Sequence, residues 1–417
     1  HEPGADIDTI CVTPSVCDRS DFFGSLKDLI VSHKDVTNFN SIETAAVPIM
    51  TFDWEDVNID LLFARLNIIS VPDSIDIDND RILEGVDGAT EKSLNGPRVT
   101  NMIANLAGGT PARYNGFLTV VRCVRKWAKA RGLYSNKMGY LGGVNFNIMA
   151  TMVCQLYPNA SPSNLVRKFF LLYSKWRWPN PVVLTKPFDA GMGLSVWTSS
   201  PGNRELMPII TPAYPSMNSS LSVSRQTLQI MIEELVRANA ILEEMWRSGE
   251  AREEGNADGS MWGRLFEPSE FFASYGHYLA LVIVGPNKAD LQSWTGFVES
   301  RLRKLVSDQL GKSLPLSKLQ LWPKKFELCC ASPESNLTVA QRANSYTYFV
   351  GFSVDKYRMK GSQLNVEKQV QNFKKFELSR FSPPLPGTDL LTNYFSVKRL
   401  PPVLFEGYEG GKEGAMR

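Results

Sequence analysis

Hydrophobic and polar positions change period twice along this chain. Short alternating runs fill the first 70 residues. Helical spacing dominates from about 75 to 270, and strand-like runs return after 271. The opening reads as strand, helix, strand: ADIDTICV, then DRSDFFGSLKDLIVSH with Asp18 or Ser20 as a cap, then AAVPIMTFDW and VNIDLLFARL around an acidic turn. RYNGFLTVVRCVRKWAKARG carries Phe117, Val120, Val121, Val124 and Trp127 on one helical side. Three more helices follow in MGYLGGVNFNIMATMVCQLYPN, NLVRKFFLLYSKWRW and SVSRQTLQIMIEELVRANAILEEMW. Arg247 to Ser260 is polar and Gly-bearing, and reads as a loop.

The last third reads HYLALVIVG as a strand, ADLQSWTGFVESRLRKLVSDQLG as a helix, KLQLWPKKFELCCA and SYTYFVGFSV as strands, and LNVEKQVQNFKKFELSRF as a helix. This β-α-β-β-α order predicts a ferredoxin-like domain. The tail from Ser382, with PPLPGTD and YEGGKEG, reads as irregular. The fold class is therefore α+β and multidomain, with domains at 1–70, 71–270 and 271–417.

A length of 417 residues is too great for one core. Hydrophobic content of 43% and charged content of 21% are ordinary, and a net charge of +2 gives no global basic field. The six Cys form no Cys-x-x-Cys pair and there are only three His, which argues against a zinc site or a disulfide framework. The longest apolar runs are strand-length, so no membrane partner is expected.

Candidate chemistry sits at the very start. On a strand, Asp6 and Asp8 share one face while Ala5, Ile7 and Cys11 take the other. Two adjacent carboxylates repel unless a cation lies between them, and carboxylate oxygens suit Mg2+ or Mn2+. Asp60, inside the apolar run NIDLLF, completes a candidate two-metal site for phosphoryl transfer. Asp-x-Asp alone is commonly a solvated turn. The competing reading of Asp60 is a buried ion pair with Arg65.

GADIDTICV, IDLLFARL, SLNGPRVT, KWAKARGLYSN, YLGGV, CQLYPNASPSNLVRKFF, SKWRWPNPVVL and MPIITPAYPSMNSS follow one another in order. This succession closely resembles the eukaryotic nuclear poly(A) polymerase family. The likeness is strong to about residue 220 and rests mainly on pattern beyond it. It implies a nucleotidyltransferase palm (its start missing here), a helical central domain and an RRM-like, RNA-binding C-terminal domain. The implied reaction is template-independent transfer of AMP from ATP to an RNA 3′ end, in the nucleus, by a monomer recruited by cleavage and polyadenylation factors.

Residue by residue, the resemblance makes Asp6, Asp8 and Asp60 the catalytic metal ligands. Glu2, Asn95, Arg125, Tyr134, Asn136, Gly143 and Val144 take nucleotide-binding positions. Glu2 sits ahead of the aspartates, where a contact would be through main chain. Two departures stand out. The family's Gly-Ser pair lies upstream of the aspartates, and Gly24-Ser25 lies downstream. Where the family has a phosphate-reaching Lys, this chain has Arg125, a planar donor that binds phosphate well, with Lys126 beside it.

Bland readings accompany each residue. Tyr134 is a packing residue, Gly142-Gly143 a turn, Asn95-Gly96 a turn, and Trp127, Phe169 and Trp176 core. Lys324-Lys325, Lys374-Lys375 and Arg301-Arg303-Lys304 are solvated faces or an RNA-facing surface. Tyr346, Tyr348 and Phe349 lack an RNP-type signature and read as core. Competing functions are an inactive RNA-binding or 3′-processing scaffold, a terminal uridylyltransferase, and a manganese-dependent glycosyltransferase.

Overall fold

The computed structural model describes residues 6–43, 45, 47–200, 204–248, 261–359, 364–408 and 411–415. Glu2 and most of the expected 247–260 loop lie outside the described residues. The chain divides into two compact units. One holds His1–Tyr114, Val182–Asn203 and Ile210–Asn218, the other Asn115–Pro181, Arg204–Ile209 and Ser219–Arg417. Among the described residues no helix is long and apolar enough to cross a membrane.

The first unit is built on a four-stranded sheet of β1 (Ile7–Thr13), β2 (Val36–Ile42), β3 (Ile49–Trp54) and β4 (Val57–Arg65) in the order β1-β4-β3-β2. β1 and β4 are parallel; the other pairs are antiparallel. Glu55 and Asp56 have φ of 47° and 66°, the left-handed pair that a two-residue hairpin needs. Each face of the sheet has its own cover. Cys11, Leu61 and Phe63 pack with Phe22 and Met50 under the helical segment 19–32. Ile10, Val12 and Ala64 pack on the other face with Leu94 and Tyr214.

Leu94 belongs to helix α1 (Gly88–Ala107), capped by Asp87, whose carboxylate accepts from the Thr90 N–H at 2.7 Å. The helix runs straight through Asn95-Gly96-Pro97, where the sequence predicts a turn. Proline there removes one backbone donor. Buried Leu94, Val99 and Ile103 hold the helix regardless, and Arg98 anchors it. Arg98 is 2% exposed and donates to the carbonyls of Ile77, Asn79 and Tyr214 and to Asp80 at 2.5 Å.

The second unit combines helices with a second sheet. Its helical part is α2 (Pro111–Ala130, which starts in the first unit), α3 (Gly143–Leu156), α4 (Pro162–Ser174) and α5 (Arg225–Ser248). Trp127 and Phe169 are buried as their spacing predicts, with Phe170 edge-on to both. Trp176 lies past the end of α4 and is half-buried.

The second sheet contains β5 (His277–Val284), β6 (Leu316–Leu321), β7 (Ser345–Val354) and β8 (Asp389–Ser396), ordered β6-β7-β5-β8 and antiparallel throughout. Helices α6 (Lys288–Lys304) and α7 (Glu367–Phe376) connect them, giving β-α-β-β-α-β, the ferredoxin-like topology. The irregular tail expected from Ser382 is corrected here. β8 pairs with β5 along its whole length, although flanking prolines and turn residues conceal it in the sequence.

Replacing Arg98 by Met would leave three carbonyls and Asp80 without their buried donor. The expected loss is about 2–4 kcal/mol of unfolding free energy in a urea titration.

Candidate active site

The register of β1 on β4 brings the carboxylates together. Asp8 pairs with Asp60, so two acidic side chains leave the same face of adjacent parallel strands about 4.8 Å apart along the sheet. That face continues through Ile10, Val12 and Ala64 into the apolar cluster beneath α1. The carboxylates therefore sit where a packed sheet surface runs out into solvent. Asp8 is exposed and Asp60 half-buried. Arg65, five residues beyond Asp60 on the same strand, falls on the opposite face by alternation.

Asp6 precedes the strand and is exposed. Partial burial, and then the negative charge of Asp6, push the Asp8 carboxyl above its ordinary value. Among the described residues no group of three or more His, Cys, Asp and Glu is gathered so as to hold a metal ion. The chemistry of the Asp8–Asp60 pair nonetheless fits a hard divalent cation. It offers carboxylate oxygens, and the negative charge that Asp6 adds beside Asp8 is the kind a cation offsets.

Asn95 belongs to the same unit. It is 7% exposed, and its Nδ2 reaches the Met217 sulfur at 3.4 Å. Its Oδ1 is buried and accepts no hydrogen bond among the described residues. An unsatisfied buried oxygen of this kind is either a strain or a waiting ligand contact.

The other candidates gather in the second unit around the start of α3. A Cβ on Gly143 would stand 2.9 Å from Arg125 Nη2 and 3.0 Å from Tyr134 Oη, so both side chains reach the first turn of the helix. The Tyr134 ring is half-buried and stacks on Phe146 with centroids 6.0 Å apart. The helix start is fixed by Asn145, whose Oδ1 accepts from the Gly142 N–H at 2.8 Å and whose Nδ2 donates to Ser219 Oγ at 2.7 Å. Asn136 follows suit: Nδ2 donates to the Ser219 carbonyl at 3.4 Å, and Oδ1 accepts from Ser222 Oγ at 2.5 Å. Val144 is half-buried on the first turn.

A helix N-terminus with a guanidinium and a phenol beside it is an anion-binding arrangement. Lys129 joins it, its ammonium 5.4 Å from the centre of the Tyr134 ring. Its signal in the sequence was position, one helical turn after Arg125 on the same face of α2. Lys126 goes elsewhere, over the ring of Phe266 at 4.9 Å.

Three family models match the chain in succession: the poly(A) polymerase nucleotidyltransferase domain at residues 1–107, its central domain at 116–266, and its predicted RNA binding domain at 270–345. The chain belongs to the poly(A) polymerase family. Nuclear poly(A) polymerase 4 of Arabidopsis thaliana is 37% identical over 99% of this chain and 55% of its own length. Nuclear poly(A) polymerase 1 of the same plant is 38% identical over 98% and 54%. The chain thus spans about half the length of the curated relatives it matches. The solved structure of a cytoplasmic RNA terminal U-transferase is 16% identical, with a TM-score of 0.40, over 64% of this chain and 80% of that one.

The ferredoxin-like sheet, which begins in the segment matched at 270–345 and continues to β8, is covered on both faces. Tyr278, Ala280, Val282 and Phe349 pack into an aromatic core with Phe271, Phe272 and Phe405. On the other face Tyr348 donates to Glu299 of α6. An open stacking platform for bases is therefore lacking among the described residues, and Tyr348 and Phe349 are core at 2% and 0% exposure. The basic clusters are engaged locally. Lys304 pairs with Glu377, Lys374 with Asp389, and Lys325 lies 4.1 Å over the Tyr346 ring.

Two outcomes follow. Asp8→Asn removes a charge that the fold disfavours at neutral pH. It should raise the melting temperature by roughly a degree or two at pH 7. Because a raised carboxyl destabilises only once ionised, that gain should shrink as pH falls through its titration range, measured by melts from pH 7 to 4. Gly143→Ala should fold normally, since the crowded atoms are the ends of flexible side chains. It should nevertheless weaken nucleotide binding several-fold in calorimetry by displacing Arg125 and Tyr134.

Proposed function

We propose that this chain is a polynucleotide adenylyltransferase that transfers AMP from ATP to an RNA 3′-hydroxyl without a template and releases pyrophosphate. The observation that carries the proposal is the in-register pairing of Asp8 with Asp60 in a chain of this family. Asp6, Asp8 and Asp60 would hold Mg2+ or Mn2+. Such ions, when bound, lower the pKa of an attacking hydroxyl and neutralise charge on the α-phosphate and the leaving pyrophosphate.

This chain's own groups supply the rest. Asp60 accepts the proton of the RNA 3′-hydroxyl. Arg125 and Lys129 draw the triphosphate toward the N-terminus of α3, where the backbone N–H groups of Gly143 and Val144 donate to its oxygens. Gly143 has no Cβ to obstruct that approach. Tyr134, backed by Phe146, and Asn136, held by Ser219 and Ser222, orient the nucleoside. Asn95 offers its unsatisfied Oδ1 to a ribose hydroxyl or the primer end. The chain acts in the nucleus on mRNA 3′ ends as a monomer brought there by cleavage and polyadenylation factors. The domains divide near residues 70 and 270.

Incubation with a short oligo(A) primer, Mg2+ or Mn2+, and each NTP in turn tests this. A ladder with ATP alone is the expected result. Growth with UTP in preference makes the chain a uridylyltransferase, and primer binding without growth makes it an RNA-binding homologue. Asp8→Ala and Asp60→Ala should each lower transfer by about 10³-fold or more while the circular dichroism spectrum is kept. Transfer retained by either variant overturns the carboxylate assignment.

A further inference from the structure

Arg125 reaches the first turn of α3 with help from that helix. Asn147, four residues along from Gly143, accepts from Arg125 Nη2 at 3.0 Å through Oδ1. The same nitrogen stands nearest to Gly143. A long arginine side chain has several rotatable bonds and considerable rotamer freedom to lose on being fixed. Its Nε is buried and unpartnered among the described residues, so no protein acceptor fixes the root of the planar fork. The acceptor given to its tip is the Asn147 amide, which is neutral.

The neutrality matters. An Asp at 147 would hold the fork equally well and cancel its charge. An Asn holds one nitrogen and leaves the positive charge uncompensated. The position on the helix matters too, because residues four apart share one face of α3. Asn147 therefore lies directly behind Gly143 on the face that Arg125 approaches. Thr151, another turn on, donates to the Asn147 carbonyl at 2.9 Å and continues that face.

We infer that Asn147 is a positioning residue: it orients the Arg125 guanidinium at the N-terminus of α3 so that this arginine reads the phosphate chain of the bound nucleotide. The inference rests on the reading of Arg125 as a phosphate contact. It adds a residue that makes arginine serviceable at this position and that touches no substrate itself.

The test is a phosphate-length series. Dissociation constants for AMP, ADP and ATP are measured by calorimetry on the protein and on Asn147→Leu. With the native residue, affinity rises from AMP to ATP. In Asn147→Leu that rise should flatten, with ATP binding weakened by about 5–20-fold and AMP binding nearly unchanged. On an Arg125→Lys background the same substitution should have little further effect, because an ammonium has no planar fork to hold. Equal weakening of all three nucleotides, an undiminished rise, or the same loss on the Arg125→Lys background overturns the inference. A native protein whose affinity does not rise with phosphate number instead overturns the phosphate role of Arg125 itself.

Discussion

The parallel pairing of β1 with β4 is the constraint on which the catalytic proposal depends. It fixes Asp8 opposite Asp60 with no freedom of register, because a one-residue slip would send every side chain of β1 to the other face. The same slip would move Cys11 out of the cluster with Phe22 and Phe63, and Ile10 and Val12 out of the cluster with Leu94 and Tyr214. Hydrophobic burial on both faces thus fixes Asp8, near the start of β1, beside Asp60, within β4. A fold that sets two carboxylates side by side, with Asp6 adding negative charge at Asp8, invites a cation.

The cradle at α3 works by a different principle. In the function proposed above, its anion affinity comes from a helix terminus, a guanidinium, an ammonium and a phenol, and its rigidity from asparagines. Asn145 ties the helix start to Ser219, Asn136 is tied to Ser219 and Ser222, and Asn147 holds Arg125. Amides suit this work because they fix geometry without adding charge that would oppose or neutralise the anion. The backing amides are neutral, so the positive charge of Arg125 and Lys129 is left uncancelled by them.

Much of this was legible in the sequence, and the exceptions have physical reasons. Long helices with clean apolar stripes, such as α2 and α5, and strands with continuous apolar runs, such as β5 and β7, declare themselves by period. β2 does not: VTNFNSI is an edge strand with an irregular register and only partial burial. β8 hides in a proline-bearing tail, and α1 hides behind Asn95-Gly96-Pro97, where local turn chemistry is overridden by Arg98 and the buried Leu94. Among site residues, Asp8 and Asp60 could be named from spacing and setting, but their exact opposition is a matter of strand pairing over fifty intervening residues. Lys129 and Asn147 are ordinary polar positions on helices until Tyr134 and Arg125 are seen beside them.

The most direct measurement of the central claim is a Mn2+ titration followed by electron paramagnetic resonance, on the protein and on Asp60→Asn, without nucleotide or RNA. The expected result is loss of the free-ion signal on binding to the protein and markedly weaker binding to the variant, with both folded. Equal Mn2+ binding by the two would contradict the claim that the Asp8–Asp60 pairing exists to hold a catalytic cation.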